Sequence, residues 1–113
     1  MPEKVDFDVV VIGLGPTGGT LANLLATHGL SVCVLEREVA LYNLPRAVHF
    51  DDEIMRVFQT IGIADRLRRH LIVNRGTKFI DPDGKVLIDW PRPRAVTENG
   101  WQPSYRFHQP DLE

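Results

Sequence analysis

The sequence predicts an α/β fold built on a parallel sheet, and three observations carry that prediction. Asp8-Val9-Val10-Val11-Ile12 is apolar on both alternating faces and rich in β-branched residues. That is the composition of a strand covered on both sides. A glycine-rich turn, Gly13 to Gly18, follows at once, and a second apolar stretch, Ser31 to Leu35, follows a segment of helical spacing. Strand, turn, helix and strand make one βαβ-type unit, begun but not completed.

The helix opens at Pro16, a position where the missing N–H costs nothing. Leu21, Leu24, Leu25 and His28 repeat at helical spacing, and Gly29 is placed to cap the carboxyl end. Val39 to Phe50 reads as a loop containing Pro45. Asp51 to Ile61 reads as a second helix with Ile54, Met55, Val57, Phe58 and Ile61 on its apolar face. A shorter helix covers Ala64 to His70. Thr77 to Ile80 and Lys85 to Trp90 form a hairpin across Asp81-Pro82-Asp83-Gly84, a turn signal. Pro91 to Pro103 is a proline-rich loop, Tyr105 to His108 a short strand, and Pro110 to Glu113 the first turn of a helix that the sequence cuts off.

A chain of 113 residues is one domain at most. Thirteen Lys+Arg against fifteen Asp+Glu leave a net charge of -2, which gives no electrostatic reason to expect nucleic acid or an anionic membrane as partner. The lone Cys33 excludes an intrachain disulfide and fits a reducing compartment. The acidic start, Glu3 and Asp6, is unlike a signal peptide, and the longest apolar run, Val9 to Ile12, is far too short to span a bilayer. A cytoplasmic protein is expected.

Gly13-Leu14-Gly15-Pro16-Thr17-Gly18 is a G-x-G-x-x-G motif. It leaves an expected strand, opens an expected helix, and is followed by a second strand ending at Glu36, so the dinucleotide fingerprint stands in its required Rossmann-like context. Gly13 permits the tight turn, Gly15 lets a pyrophosphate approach the backbone, and Gly18 lets helix and strand pack closely. The helix N-terminus meets the phosphates. Glu36 can accept hydrogen bonds from both ribose hydroxyls, and its charge repels a phosphate at the 2′ oxygen, which disfavours NADP. The alternative is that the glycines serve only a turn and close packing. The motif by itself does not separate FAD from NAD, because both present the same ADP moiety.

Val9 to Arg37 resembles the opening of the class A flavoprotein monooxygenases. Leu44-Pro45-Arg46-Ala47, His49-Phe50-Asp51-Asp52-Glu53 and Arg106-Phe107-His108-Gln109-Pro110-Asp111-Leu112-Glu113 resemble the 3-(3-hydroxyphenyl)propionate hydroxylase branch. The resemblance implies an α/β, Rossmann-like FAD-binding domain with a β-hairpin excursion, the amino-terminal part of a longer enzyme. It also implies NAD(P)H as the reductant of the flavin, O2 as oxidant and a small phenolic compound as substrate. By the same resemblance Arg46 lies close to the FAD pyrophosphate and the incoming nicotinamide nucleotide, Gln109 near the ribityl chain, and Arg37 beside the adenosine. From residue type alone Arg46 reads as a solvated arginine and Gln109 as a helix-entry residue. An NAD-dependent dehydrogenase and a non-catalytic nucleotide-binding fragment are the competing readings.

Three further groups have simple explanations. In His49-Phe50-Asp51-Asp52-Glu53, Asp51 is a natural N-cap and Asp52 and Glu53 favour the positive helix end, so no metal site is expected. Arg66, Arg68, Arg69 and His70 form a solvated basic face at a helix end. Arg92 and Arg94 beside Trp90 and Trp101 belong to a loop, and Cys33 is an inert strand thiol.

Overall fold

The computed structural model describes residues 4–44 and 46–113; Pro45, assigned above to the loop, lies outside them. Strand β1 (Val9–Ile12), helix α1 (Pro16–Thr27) and strand β2 (Val32–Leu35) form the expected unit. β1 and β2 pair in parallel, with Val9 opposite Val32 and Ile12 opposite Leu35. The crossover helix stops where Gly29 takes a positive φ of 77°, and Leu30 N–H donates to the Leu25 carbonyl at 3.3 Å. The two strand entries are locked together. Asp8 accepts hydrogen bonds from the Ser31 N–H at 2.7 Å and the Ser31 hydroxyl at 2.6 Å, contacts that hold its carboxyl below the usual carboxylate range.

The expectation of a strand covered on both faces is corrected. Val11 is buried at 7% exposure, but Val10 is 54% and Ile12 86% exposed. α1 lies over one face of this two-stranded sheet, and no described element covers the other. Cys33, on β2, is half-buried.

The core lies elsewhere, around a three-stranded antiparallel sheet in the order β3 (His49–Asp51), β7 (Ser104–Arg106), β4 (Ile72–Val73). Two of these strands correct the sequence reading, which placed His49 and Phe50 in a loop and assigned nothing to Ile72–Val73. Both are short and are specified by pairing with β7, Phe50 opposite Tyr105 and Ile72 opposite Arg106. Phe50 anchors the core. Its ring meets Phe58 edge-on with centroids 5.3 Å apart, and it packs at tilted angles on Tyr105 and Phe107. Met55, Ala64 and Leu67 complete the buried cluster.

Met55 and Phe58 come from α2 (Asp52–Thr60), whose N-cap is Asp51 as expected: its Oδ1 accepts the Ile54 N–H at 3.1 Å. α3 (Ala64–Leu67) passes into a 3-10 turn over Arg68–His70, so the expected single helix is two pieces. The basic residues there are exposed, and Arg68 pairs with Asp65. β5 (Gly76–Ile80) and β6 (Val86–Pro91) form the expected hairpin. Asp81 Oδ1 ties its turn by accepting from the N–H groups of Asp83 and Lys85. α4 (Gln109–Leu112) closes the described chain.

Candidate functional site

The three motif glycines have three different surroundings. Gly13 has a φ of 97°, a left-handed conformation in which a side chain is strained, and its N–H donates to the Leu35 carbonyl at 2.7 Å. The turn is thereby pinned to the end of β2. Gly18 is packed against Gly13: a Cβ there would overlap the Gly13 carbonyl oxygen and reach within 3.0 Å of its carbonyl carbon. Close packing of helix on strand therefore requires this glycine.

Gly15 differs from both. Its backbone is extended, φ -80° and ψ -173°, which any residue adopts, and a Cβ would meet nothing within 4 Å. The fold itself does not demand a glycine here; the space beside its backbone is open. Gly15 is also the N-cap of α1, Pro16 opens the helix, and no side chain caps its start. The helix's positive end therefore faces that space without a competing acceptor.

Glu36, at the end of β2, faces the same turn. One carboxylate oxygen accepts the Glu38 N–H at 3.0 Å and the other the Leu14 N–H at 2.7 Å. These bonds, the Glu38 contact foremost, hold the carboxyl below its usual range, so it is an anion at neutral pH. This refines the expectation of a carboxylate reserved for ribose hydroxyls, since Glu36 also braces the glycine turn. Each oxygen keeps one further lone pair for a ligand. Glu36 and Gly15 border one cleft of about 440 Å³, together with Leu14, Tyr42 and Arg46.

Arg46 reaches this cleft with its guanidinium 5.0 Å from the Tyr42 ring centroid. The motif reading did not find Tyr42; it sits in a loop without periodicity, and only its spacing from Arg46 hints at it. Arg37 turns outward. Its side chain is 90% exposed and its Nε pairs with Glu38 at 3.1 Å. Gln109 is buried behind the loop, its Oε1 accepting from the N–H groups of Arg46 at 3.0 Å and Ala47 at 2.9 Å, and its Nε2 donating to Glu113 at 2.7 Å. Gly13, Gly15, Gly18, Glu36 and Arg46 are thus brought together, Pro16 stands at the helix entry, Gln109 supports the loop, and Arg37 lies outside.

A family model described as an FAD binding domain matches residues 6–113. The chain is 46% identical over 108 residues to a protein of Rhodococcus jostii (strain RHA1) named "Probable NADH-specific resorcinol 4-hydroxylase", covering 94% of this chain and 20% of that protein. It is 40% identical over 113 residues to the 3-(3-hydroxy-phenyl)propionate/3-hydroxycinnamic acid hydroxylase of Mycolicibacterium gilvum (strain PYR-GCK), covering 100% of this chain and 20% of that one. The chain therefore spans about one fifth of the length of these relatives. In fold it resembles p-nitrophenol 4-monooxygenase PnpA from Pseudomonas putida DLL-E4, with a TM-score of 0.77 at 23% identity over 92% of this chain and 26% of that one. It also resembles the flavin-dependent monooxygenase PieE, solved with FAD and substrate, with a TM-score of 0.74 at 22% identity over 94% of this chain and 20% of that one. These matches favour the flavin reading over the NAD-dependent dehydrogenase. With its Rossmann-like α/β architecture and this match over residues 6–113, the chain belongs to the FAD-binding domain family.

Proposed function

We propose that the Gly15–Glu36–Arg46 cleft holds the ADP half of FAD, within a monooxygenase that hydroxylates a phenolic compound with NAD(P)H and O2. One observation carries the reading: Gly15 has an open backbone flank that the fold does not require, and it shares a cleft with a carboxylate kept ionised. A pyrophosphate fits that flank, against the uncapped start of α1. Glu36 accepts from the ribose hydroxyls through its remaining lone pairs. Arg46 supplies positive charge toward the phosphates and the incoming nicotinamide nucleotide, and Gln109 acts on the flavin side by fixing the loop that carries Arg46. Arg37, exposed beside Glu36, flanks the adenosine.

When bound, the flavin supplies the redox chemistry: it takes a hydride from NAD(P)H and activates O2. The residues of this chain bind and orient it. The reading includes a cytoplasmic setting, where NAD(P)H is supplied; among the described residues no helix is long and apolar enough to cross a membrane.

Titration with FAD and with FMN, followed by calorimetry and by the visible flavin spectrum, tests the proposal on wild type and Glu36→Gln. Gln keeps the shape of Glu36 but loses the charge that strengthens its hydrogen bonds to the ribose, so FAD affinity should fall about ten- to hundredfold. FMN has no adenosine and should bind both proteins equally. Equal losses for FAD and FMN would mean that Glu36 acts only by bracing the turn.

A further inference from the structure

Of the four asparagines, Asn23 and Asn43 precede a leucine and Asn74 an arginine; only Asn99 precedes a glycine. That pair carries a chemistry of its own. The backbone nitrogen of a residue without a side chain reaches the preceding carboxamide carbon unhindered. It attacks that carbon, loses its proton and expels ammonia, closing a cyclic succinimide. Water then opens either carbonyl of the ring and leaves aspartate or isoaspartate. Net, water is taken up and ammonia released, with no redox partner.

The fold ties both reacting groups. Gly100 sits in a turn at a φ of 80° and donates its N–H to the Thr97 carbonyl at 2.9 Å, while the Thr97 N–H donates to the Trp101 carbonyl at 2.8 Å. Asn99 donates from Nδ2 to Asp52 Oδ2 at 2.7 Å, the same oxygen that accepts the Thr97 hydroxyl at 2.6 Å. To reach the Gly100 nitrogen, the carboxamide must give up its hydrogen bond to a charged group. Asn99 is half-buried, but Glu98 and Gly100 beside it are exposed, so water reaches the ring once it closes.

The product does not fit this arrangement. An aspartate at position 99 replaces the donor with a second acceptor, directly against a carboxylate that is already ionised. Among the described residues Asp52 belongs to no ion pair that would offset the added charge. The positive end of α2 is already shared by Asp51, Asp52 and Glu53. The loop held by Asp52 continues into Trp101, whose indole donates to Gln59 of α2 at 3.0 Å and whose side chain packs on the core.

We infer that Asn99–Gly100 is a deamidation site that Asp52 holds in check, and that its conversion to aspartate unties the Thr97–Trp101 loop from α2. The change runs one way, because the ammonia is lost and hydrolysis fixes the new charge.

The test ages the chain at neutral pH and follows the peptide containing Asn99 by mass spectrometry. Aspartate and isoaspartate should accumulate at least about tenfold more slowly in the folded chain than in urea, and Asp52→Ala should close most of that gap. Hydrogen exchange then reads the effect of the product. In Asn99→Asp the Thr97 and Gly100 amides should exchange about ten- to hundredfold faster than in wild type, with the Met55 and Phe58 amides unchanged. Asp52→Asn combined with Asn99→Asp swaps the two groups, puts a carboxylate and a carboxamide back in contact, and should restore wild-type protection. Equal rates in the folded chain and in urea, or a folded Asp52→Ala that ages like wild type, would show that Asp52 protects nothing. Wild-type exchange in Asn99→Asp, or no rescue by the swap, would overturn the untying. Should Asp52→Ala fail to fold, the swap still decides, because it keeps both side-chain shapes.

Discussion

Gln109 and Ala47, 62 positions apart in sequence, are joined by a 2.9 Å hydrogen bond from the Ala47 N–H to the Gln109 Oε1, which also accepts the Arg46 N–H. One buried side-chain carbonyl thus ties down the loop that carries Arg46. Phe107 reinforces it by donating its N–H to the Val48 carbonyl at 3.1 Å. The loop carries Arg46 into the cleft bordered by Gly15 and Glu36.

Gln109→Ala removes the acceptor for two backbone donors and should cost about 1–3 kcal/mol. Gln109→Glu keeps the acceptor but faces Glu113, now within 2.7 Å of the substituted position, with a second carboxylate. The Glu variant should therefore be near wild type in acid, where one carboxyl is protonated, and destabilised at neutral pH. Denaturant titrations at both pH values check this. A Glu variant with no pH-dependent deficit would show that Gln109 and Glu113 are not in contact in solution.

The glycine motif allows a sharper separation of ligand from fold. Gly15→Asp introduces a good N-cap at an extended residue with free space around it, so the melting temperature should hold or rise slightly. The same carboxylate occupies the space proposed for a pyrophosphate and repels it, so FAD binding should be lost. Gly18→Ala does the reverse at its source. Its Cβ runs into the Gly13 carbonyl, and pushing α1 off β1 should cost about 1–3 kcal/mol before any ligand is added. If Gly15→Asp kept wild-type FAD affinity, the phosphate assignment would be wrong.

Where the sequence could be read, the signals were local. The βαβ unit, the α2 cap at Asp51 and the Asp81 to Gly84 turn each lie within a few residues of the chain that forms them. β3 and β4 were not legible because strands of three and two residues are too short to show alternation. Their partner β7 is 55 positions from His49. The core around Phe50 was missed with them, although Met55 and Phe58 were placed on the correct helix face. In the site, Gly13, Gly15, Gly18 and Glu36 follow from spacing. Gln109's bonds to the loop do not, because nothing near position 109 signals a partner at 46 and 47.

Asp52 gives a pH-dependent prediction. Its Oδ2 accepts from the Thr97 hydroxyl at 2.6 Å and the Asn99 amide at 2.7 Å, and these bonds, Thr97 first, lower its pKa. A depressed folded pKa means the contribution is complete above the ordinary aspartate value, about 3.9, and is lost as pH falls through the lower folded value. The segment tied down includes Trp101, whose carbonyl accepts the Thr97 N–H at 2.8 Å. Trp101 fluorescence should therefore report acid release of this loop in wild type. In Asp52→Asn that step should disappear, because the amide does not titrate. An unchanged acid transition in the variant would assign it to another carboxyl.

The two faces of β1 make opposite predictions for one chemical change. Val11 is 7% exposed and lies on the α1 side, its Cγ1 3.5 Å from where a Gly18 Cβ would stand. Ile12, the next residue, is 86% exposed on the uncovered face with Val10, beside the exposed Leu35 of β2. Val11→Thr places a hydroxyl against the helix without an evident partner and should cost about 1–3 kcal/mol. Ile12→Thr keeps a β-branched residue on a strand and should change stability by less than about 0.5 kcal/mol. An apolar face of this kind binds hydrophobic dyes and favours association, so Val10→Thr with Ile12→Thr should lower anilinonaphthalene sulfonate fluorescence and raise solubility. Denaturant titration of each single variant and dye binding of the double one measure all three effects. If Ile12→Thr proved as costly as Val11→Thr, the outer face would be covered in solution by a second molecule, and the cost should then depend on protein concentration.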